Sequence, residues 1–390
     1  MRADFLVLGG GIAGASAGYF LAASGNVTLL ERETVPGYHS TSRSAALFSE
    51  YYGNRAVRAL TAASRPFYTS PPPGFTTPLV TRRGVLALCP HGAEERFEQV
   101  LAAGLTAPLP VRELAPGEAQ RYCPAVRPAW HSRAMLKPAA MDIDVDALHQ
   151  GFLRGIRARG GRVLHPVRLA SLHRRGNGWR AVTDSGEFSA GAVVNACGAW
   201  ADEVAARAGV HPAGLTPLWR TAFTVAPPPG TDITGWPMVA DVTETFYFKP
   251  ESGRLLVSPD DATPVSAGDI RPADIDVATA IDRVQAATTL EIRHVQRAWA
   301  GLRTAAADDT PVIGEAPDAP GFFWLAGLSG YGIQTAPATG QLTAALVTGS
   351  PPKIADDQPG FELAAVAPGR FHAPISDRRF INSANDAGNR

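Results

Sequence analysis

Asp4-Phe5-Leu6-Val7-Leu8-Gly9-Gly10-Gly11-Ile12-Ala13-Gly14 is the stretch whose reading decides the fold. An apolar run of strand length ends in a G-x-G-x-x-G pattern. An Ala-rich segment with Tyr19, Phe20 and Leu21 follows, and after Gly25 a second run, Val27-Thr28-Leu29-Leu30, reads as another strand. The expectation is strand, tight turn, helix, strand. Gly9 permits the turn, Gly11 lets backbone approach a pyrophosphate, and Gly14 lets the helix pack closely on the strand. The phosphates would sit at the helix start, at Ile12 and Ala13, where unpaired N–H groups and the dipole favour anions. Glu31, followed by Arg32, closes the second strand, where a carboxylate accepts from both ribose hydroxyls. It would repel a 2′-phosphate, so NADP is disfavoured and FAD and NAD remain.

At 390 residues the chain suggests two domains. Basic and acidic side chains balance at 36 each, so no global field draws in nucleic acid or an anionic membrane. Cys89, Cys123 and Cys197 are far apart and form no metal-like cluster, which fits a reduced, cytoplasmic setting and no metal. No signal peptide is read at the amino end, and no run reaches the roughly 18 apolar residues of a membrane span. Peripheral contact with the inner membrane stays open.

Further along, His39-Ser40-Thr41-Ser42-Arg43-Ser44-Ala45-Ala46 packs hydroxyls around one arginine. These are good phosphate donors, or else a solvated helix start capped by Ser42 or Ser44. Val194-Asn195-Ala196-Cys197-Gly198-Ala199-Trp200 is an apolar strand meeting a small-residue turn: a second close approach to a cofactor, or plain strand-to-helix packing. Gly330-Tyr331-Gly332-Ile333-Gln334 is a glycine loop opening a helix, suited to the electron-rich end of a flavin ring. Residues 216–298 read as hairpins with one helix, and 76–140 as a first excursion from the nucleotide domain. The fold class expected is α/β: a Rossmann-like dinucleotide-binding domain over 1–75, 141–215 and 299–380, which the resemblance given next makes an FAD-binding domain, with an inserted α+β substrate domain, mainly an antiparallel sheet, over 76–140 and 216–298. Residues 381–390 read as a disordered tail.

With these pieces in place the chain resembles the D-amino-acid oxidase superfamily of flavoproteins, and is most similar to bacterial D-arginine-type D-amino-acid dehydrogenases. Seven strings carry the resemblance in order: Gly9 to Gly14 with Glu31; Pro36 to Thr41 with Arg43 to Ala46; Asp142-Ile143-Asp144 with Asp146 to Gly151; Val194-Asn195-Ala196 with Gly198-Ala199-Trp200; Phe246-Tyr247 with Lys249-Pro250; Trp299 to Arg303; and Gly330 to Thr335. The resemblance implies non-covalent FAD, with Arg43 and Ser44 near the phosphates, Val167 at the adenosine side and the Gly330–Gln334 loop at the isoalloxazine. It implies that Arg220, Arg303 and Tyr247 grip a substrate carboxylate, with Gly330 beside it and Tyr52 on a loop over the site. A guanidinium fork suits a carboxylate and fixes which face of the α-carbon meets the flavin.

Two departures bear on substrate. Leu47 stands where the family has a histidine, and no acid lies near Arg82-Arg83-Gly84, where a cationic side chain would be received. D-arginine and D-lysine are therefore not the expected substrates; a neutral, aromatic or even acidic side chain is expected, with Arg82 or Arg83 as a candidate partner for an acidic one. The resemblance implies hydride transfer from the α-carbon of an amino acid, expected to be the D form, to flavin, then hydrolysis of the imino acid to a 2-oxo acid and ammonia. The electron acceptor, oxygen or quinone-type, and the oligomeric state are left open. One alternative is a flavin oxidase of N-substituted, sarcosine-like amino acids. Another is a non-catalytic flavin-binding protein. A nicotinamide dehydrogenase is disfavoured by the presence of one dinucleotide fingerprint rather than two.

Overall fold

The computed structural model describes residues 1–105 and 109–371, so the tail expected over 381–390 lies outside the described residues. The strand Phe5–Leu8 runs parallel to Val27–Leu30, with helix Ile12–Leu21 as the crossover. Four more strands complete a six-stranded sheet in the order Val312–Glu315, Phe322–Ala326, Ala192–Asn195, Phe5–Leu8, Val27–Leu30, Arg162–Leu164. All neighbours are parallel except the Val312–Glu315 edge. Its central strands read as unbroken apolar runs because both faces are covered. Helices Ile12–Leu21, Arg55–Thr69, Val145–Ala158 and Gly332–Thr348 cover one face. Helix Ala201–Arg207 and a small antiparallel sheet, Leu169–Arg175, Gly178–Thr183 and Gly186–Ala190, cover the other.

Among the helices, Tyr19, Phe20, Phe67, Phe75 and Phe152 pack edge to face. Phe152 is fully buried, a contribution of about 2 kcal/mol. Helix Gly332–Thr348 contains a buried proline, Pro337. Proline has no N–H to give the carbonyl four residues back, and the hydroxyl of buried Tyr68 donates to that carbonyl, Ile333 O. Ser16 Oγ donates to Ala336 O at 2.5 Å, and a Cβ on Gly340 would lie 2.0 Å from that hydroxyl, so these two helices meet at backbone distance.

The second sheet draws on both excursions. Val85–Pro90, Arg112–Glu113 and His131–Lys137 come from the first. Thr216–Val225, Met238–Asp241, Tyr247–Glu251, Arg254–Ser258, Thr263–Pro264 and Val295–Ala305 come from the second. Among the described residues, the one parallel pairing in this sheet joins Val85–Pro90 to Met238–Asp241. Helix Asp274–Ala287 seals one face with Ala280, Val284 and Ala287. Val80–Arg82 lies instead in a small connecting sheet with Met141–Ile143 and Leu47–Phe48. The expected division at 298/299 falls inside the strand Val295–Ala305, which stays continuous because it pairs along its length with Thr216–Val225. Among the described residues no helix is long and apolar enough to cross a membrane.

Candidate active site

A cavity of about 570 Å³ opens at the carboxyl ends of the central parallel strands and runs to the second sheet, where open α/β sheets place their ligands. Its first end is the glycine turn. Gly9 has φ +100°, and a Cβ there would stand 2.4 Å from Ala196 O; a Cβ on Gly14 would stand 1.9 Å from Gly9 O. Gly9, Gly11, Ile12 and Ala13 line the cavity, while Gly14 is packed against the turn behind it. The turn is held from three sides. Glu31 Oε2 accepts from Gly10 N–H at 2.6 Å, Thr41 Oγ1 accepts from Ile12 N–H at 2.9 Å, and His149 Nε2 donates to Gly10 O at 2.8 Å. Burial keeps His149 below the ordinary imidazole range, so the ring is neutral at pH 7.

Glu31, Arg32, Thr41, Ser44, Ala45, Val167, Ala196, Gly198 and Trp200 also line the cavity. Val167 is fixed at the end of the second strand by its N–H to Glu31 O at 2.7 Å, and the Arg32 guanidinium lies 3.8 Å over the Trp200 ring. Ser42 is exposed and donates to Tyr38 O at 2.9 Å; Ala46 is buried beside the wall with φ +46°. Arg43 reaches the cavity, yet its guanidinium donates to Asp269 Oδ1 at 2.6 Å and Ala300 O at 2.9 Å. It ties the loop to the second sheet. His39, Ser40 and Cys197 line the wall and were not singled out from sequence, although His39 and Ser40 stand in the same hydroxyl-rich run. Burial pushes the Cys197 thiol up to about 12, so it stays protonated.

The other end belongs to the second sheet. Arg220 pairs in register with Gly301, and Arg303 lies two residues beyond Gly301. The two arginines are therefore diagonal neighbours on one face of an antiparallel pair, within mutual reach. Both line the cavity, as does Tyr247. Phe246 and Phe248, flanking Tyr247 in sequence, point into the core under the sheet. Burial, then the neighbouring Arg303 charge, lowers Arg220 to about 10, which leaves it cationic at neutral pH. Arg303 NH1 donates to Tyr52 Oη at 3.4 Å, and the Tyr52 and Tyr331 rings meet edge to face at 4.8 Å. A Cβ on Gly330 would stand 3.0 Å from Arg303 NH1, so glycine makes room for the guanidinium.

Gly330, Gly332 and Ile333 line the wall here, whereas Tyr331 and Gln334 turn inward. Tyr331 donates to Asp309 Oδ2 at 2.6 Å. Gln334 accepts from Ser49 N–H at 3.2 Å and donates to Thr61 Oγ1 at 3.0 Å. Neither Arg82 nor Arg83 reaches the cavity: Arg83 donates to Asp142 at 2.6 Å and to Trp236 O at 2.8 Å. Asp260, unremarkable in sequence, is ion-paired with Arg220.

The glycine cradle leaves the close backbone approach that a nucleotide pyrophosphate needs, and two guanidiniums face the far end of the same cavity, the layout of a dinucleotide-binding fold built on two sheets. The family model described as "FAD dependent oxidoreductase" (DAO) matches residues 4–346, and the chain belongs to that family. FAD is accordingly its cofactor. The chain is 26% identical to the glycine oxidase of Geobacillus kaustophilus, over 89% of this chain and 93% of that one. It is 25% identical to human mitochondrial dimethylglycine dehydrogenase over 95% of this chain but only 44% of the relative, so it spans less than half of that protein. Among solved structures, L-proline dehydrogenase from P. horikoshii superposes with a TM-score of 0.81 at 22% identity, covering 95% of this chain and 98% of that one. The superfamily expected from sequence is thus established. The narrower likeness to D-arginine-type dehydrogenases is not what these relatives show.

Proposed function

We propose that the protein oxidises the carbon–nitrogen bond of a small or N-substituted amino acid, of glycine or sarcosine type, with non-covalent FAD, yielding an imine that water hydrolyses. The observation that carries this reading is the pair Arg220 and Arg303, on one sheet face and in the same cavity as the glycine turn. The glycine oxidase and dimethylglycine dehydrogenase likenesses support the substrate class. Leu47 and the commitment of Arg83 to Asp142 support it further, since neither offers a charged side chain a partner.

Bound at the glycine turn, FAD supplies the two-electron acceptor. The chain supplies position and charge. Arg303, with Tyr247 and Arg220, fixes the substrate carboxylate and so the face presented by the carbon. Tyr52 accepts from Arg303 and keeps its own hydroxyl proton available to the substrate. Burial raises the Tyr331 phenol well above the usual tyrosine range, so Tyr331 keeps its proton and backs Tyr52 as a neutral ring behind the wall. No side chain need act as base, because the substrate amine can lose its proton to water before the carbon is oxidised.

The second reading, oxidation of a D-amino acid, draws on the seven family strings and on Tyr52 lying beside Arg303. Anaerobic titration of the FAD-loaded protein with glycine, sarcosine, N,N-dimethylglycine, D-alanine and D-arginine separates the two. Bleaching by the first three ahead of the D-amino acids is the expected order. A flavin that none of them bleaches would leave a binding protein rather than an enzyme of this class.

A further inference from the structure

The loop after strand Arg254–Ser258 turns at Asp260, whose φ of +55° lies in the left-handed region. It is fixed from several sides. Ser258 Oγ donates to Thr221 O at 2.7 Å and accepts from Asp260 N–H at 3.2 Å. Asp261 accepts from the Thr221 N–H at 2.7 Å and from its hydroxyl at 2.8 Å, and Arg283 donates to Pro259 O at 3.1 Å. Thr221 directly follows Arg220, so the bonds that hold the loop also hold the strand carrying the arginine. The result is that Asp260 Oδ1 pairs with Arg220 and lies 3.8 Å from Arg303 NH1. Both members of the closer pair are largely buried, at 13% and 15% side-chain exposure, where water screens charges weakly.

Two guanidiniums without a counter-charge would suit a dicarboxylate. Asp261 also acts on Arg220 but its oxygens are engaged by Thr221; with Asp260 as the carboxylate paired directly to the guanidiniums, one unit of positive charge is left, which a single carboxylate neutralises. We infer that Asp260 sets the charge class of the substrate: by neutralising Arg220 it makes the site select amino acids with one carboxylate over those with two. The inference rests on the carboxylate site of the proposed function. Asp260 acts through Arg220 and is a positioning residue. Asp260 touches the guanidiniums without lining the cavity itself, so a second substrate carboxylate drawn to Arg220 would meet its charge across that arginine, which disfavours both being ionised.

The test uses FAD-loaded protein and anions that cannot be oxidised, with dissociation constants read from the perturbed flavin spectrum. Wild type is expected to bind acetate at least tenfold more tightly than malonate, and monomethyl malonate close to acetate. Asp260→Asn removes the charge without new backbone strain, because asparagine adopts this region as readily as aspartate. It should shift the acetate-to-malonate ratio at least tenfold toward malonate. A merely structural role would weaken both anions alike, so a ratio within twofold of wild type in Asp260→Asn overturns the inference. So does equal binding of malonate and its monomethyl ester by wild type, a measurement that needs no variant to fold. If acetate binds and competes with the amine substrate while the ratio ignores Asp260, the proposed function survives and this inference falls. If acetate neither binds nor competes, the carboxylate site itself is refuted.

Discussion

Replacing Arg303 by Met tests the carboxylate grip at its least encumbered member. Methionine keeps most of the side chain's length and apolar stem but removes the guanidinium, which lies 3.4 Å from Tyr52 Oη and 3.8 Å from Asp260. Coulomb attraction at about 4 Å and an effective dielectric of about 20 is roughly 4 kcal/mol, whereas a hydrogen bond to a charged group contributes roughly 1.5–3 kcal/mol net. The second figure already subtracts desolvation and is the one to use. Arg220 cannot compensate, because it remains paired with Asp260. A loss near 3 kcal/mol weakens amino-acid binding about 100-fold. Arg303→Lys keeps the charge but not the planar fork and should recover about tenfold of that. The assay is the anaerobic half-reaction, with the dissociation constant taken from the dependence of flavin reduction on amino-acid concentration and flavin content as control. If Arg303→Met holds its flavin and binds the amino acid within threefold of wild type, the carboxylate does not sit here.

Gly9→Ala should yield protein with little bound flavin, since its Cβ falls 2.4 Å from Ala196 O at a φ of +100°; the flavin-to-protein ratio is the check. Gln334→Ala should lower stability by about 1–3 kcal/mol through its two lost buried hydrogen bonds. Because Gln334 faces the core, thermal melting should move while amino-acid affinity stays within twofold. His149, held neutral by burial, resists a proton that the unfolded chain accepts near pH 6.5. The unfolded state then binds more protons, so this contribution is complete above about pH 6.5 and is lost as pH falls below it. Melting temperatures should drop less between about pH 7.5 and 5.5 in His149→Gln than in wild type, and equal drops would refute the assignment.

The first crossover was legible because period, glycine spacing and the terminal acid all spoke of the same local geometry over thirty residues. Helices Arg55–Thr69 and Val145–Ala158 carry their buried apolar residues at helical spacing, so their presence is likewise local information. The second sheet was readable as hairpins, but not the parallel contact between Val85–Pro90 and Met238–Asp241, since pairing across 150 residues leaves no local trace. At the site the residue types were visible and their partners were not. Arg43 carries the expected charge, yet its guanidinium is taken by Asp269 and Ala300. Gln334 belongs to the glycine loop in sequence, but the helix turn rotates it away from the cavity. Asp260 gave no signal, because a carboxylate in a loop looks solvated until the fold sets it against an arginine.

A short set of hydrogen bonds joins the two sheets beside the cofactor cradle. Arg43 bonds Asp269 and Ala300, Trp299 Nε1 donates to Arg43 O at 3.1 Å, and Ser40 Oγ donates to Leu302 O at 2.5 Å. These few bonds clamp the loop beside the cofactor cradle to the very strand that bears Arg303. In the proposed reaction the substrate carbon is held from that strand and the cofactor from beside that loop, so the spacing between them is set across these bonds. Turnover can therefore be retuned from Asp269 or Trp299, neither of which borders the cavity, with affinity for either ligand left alone.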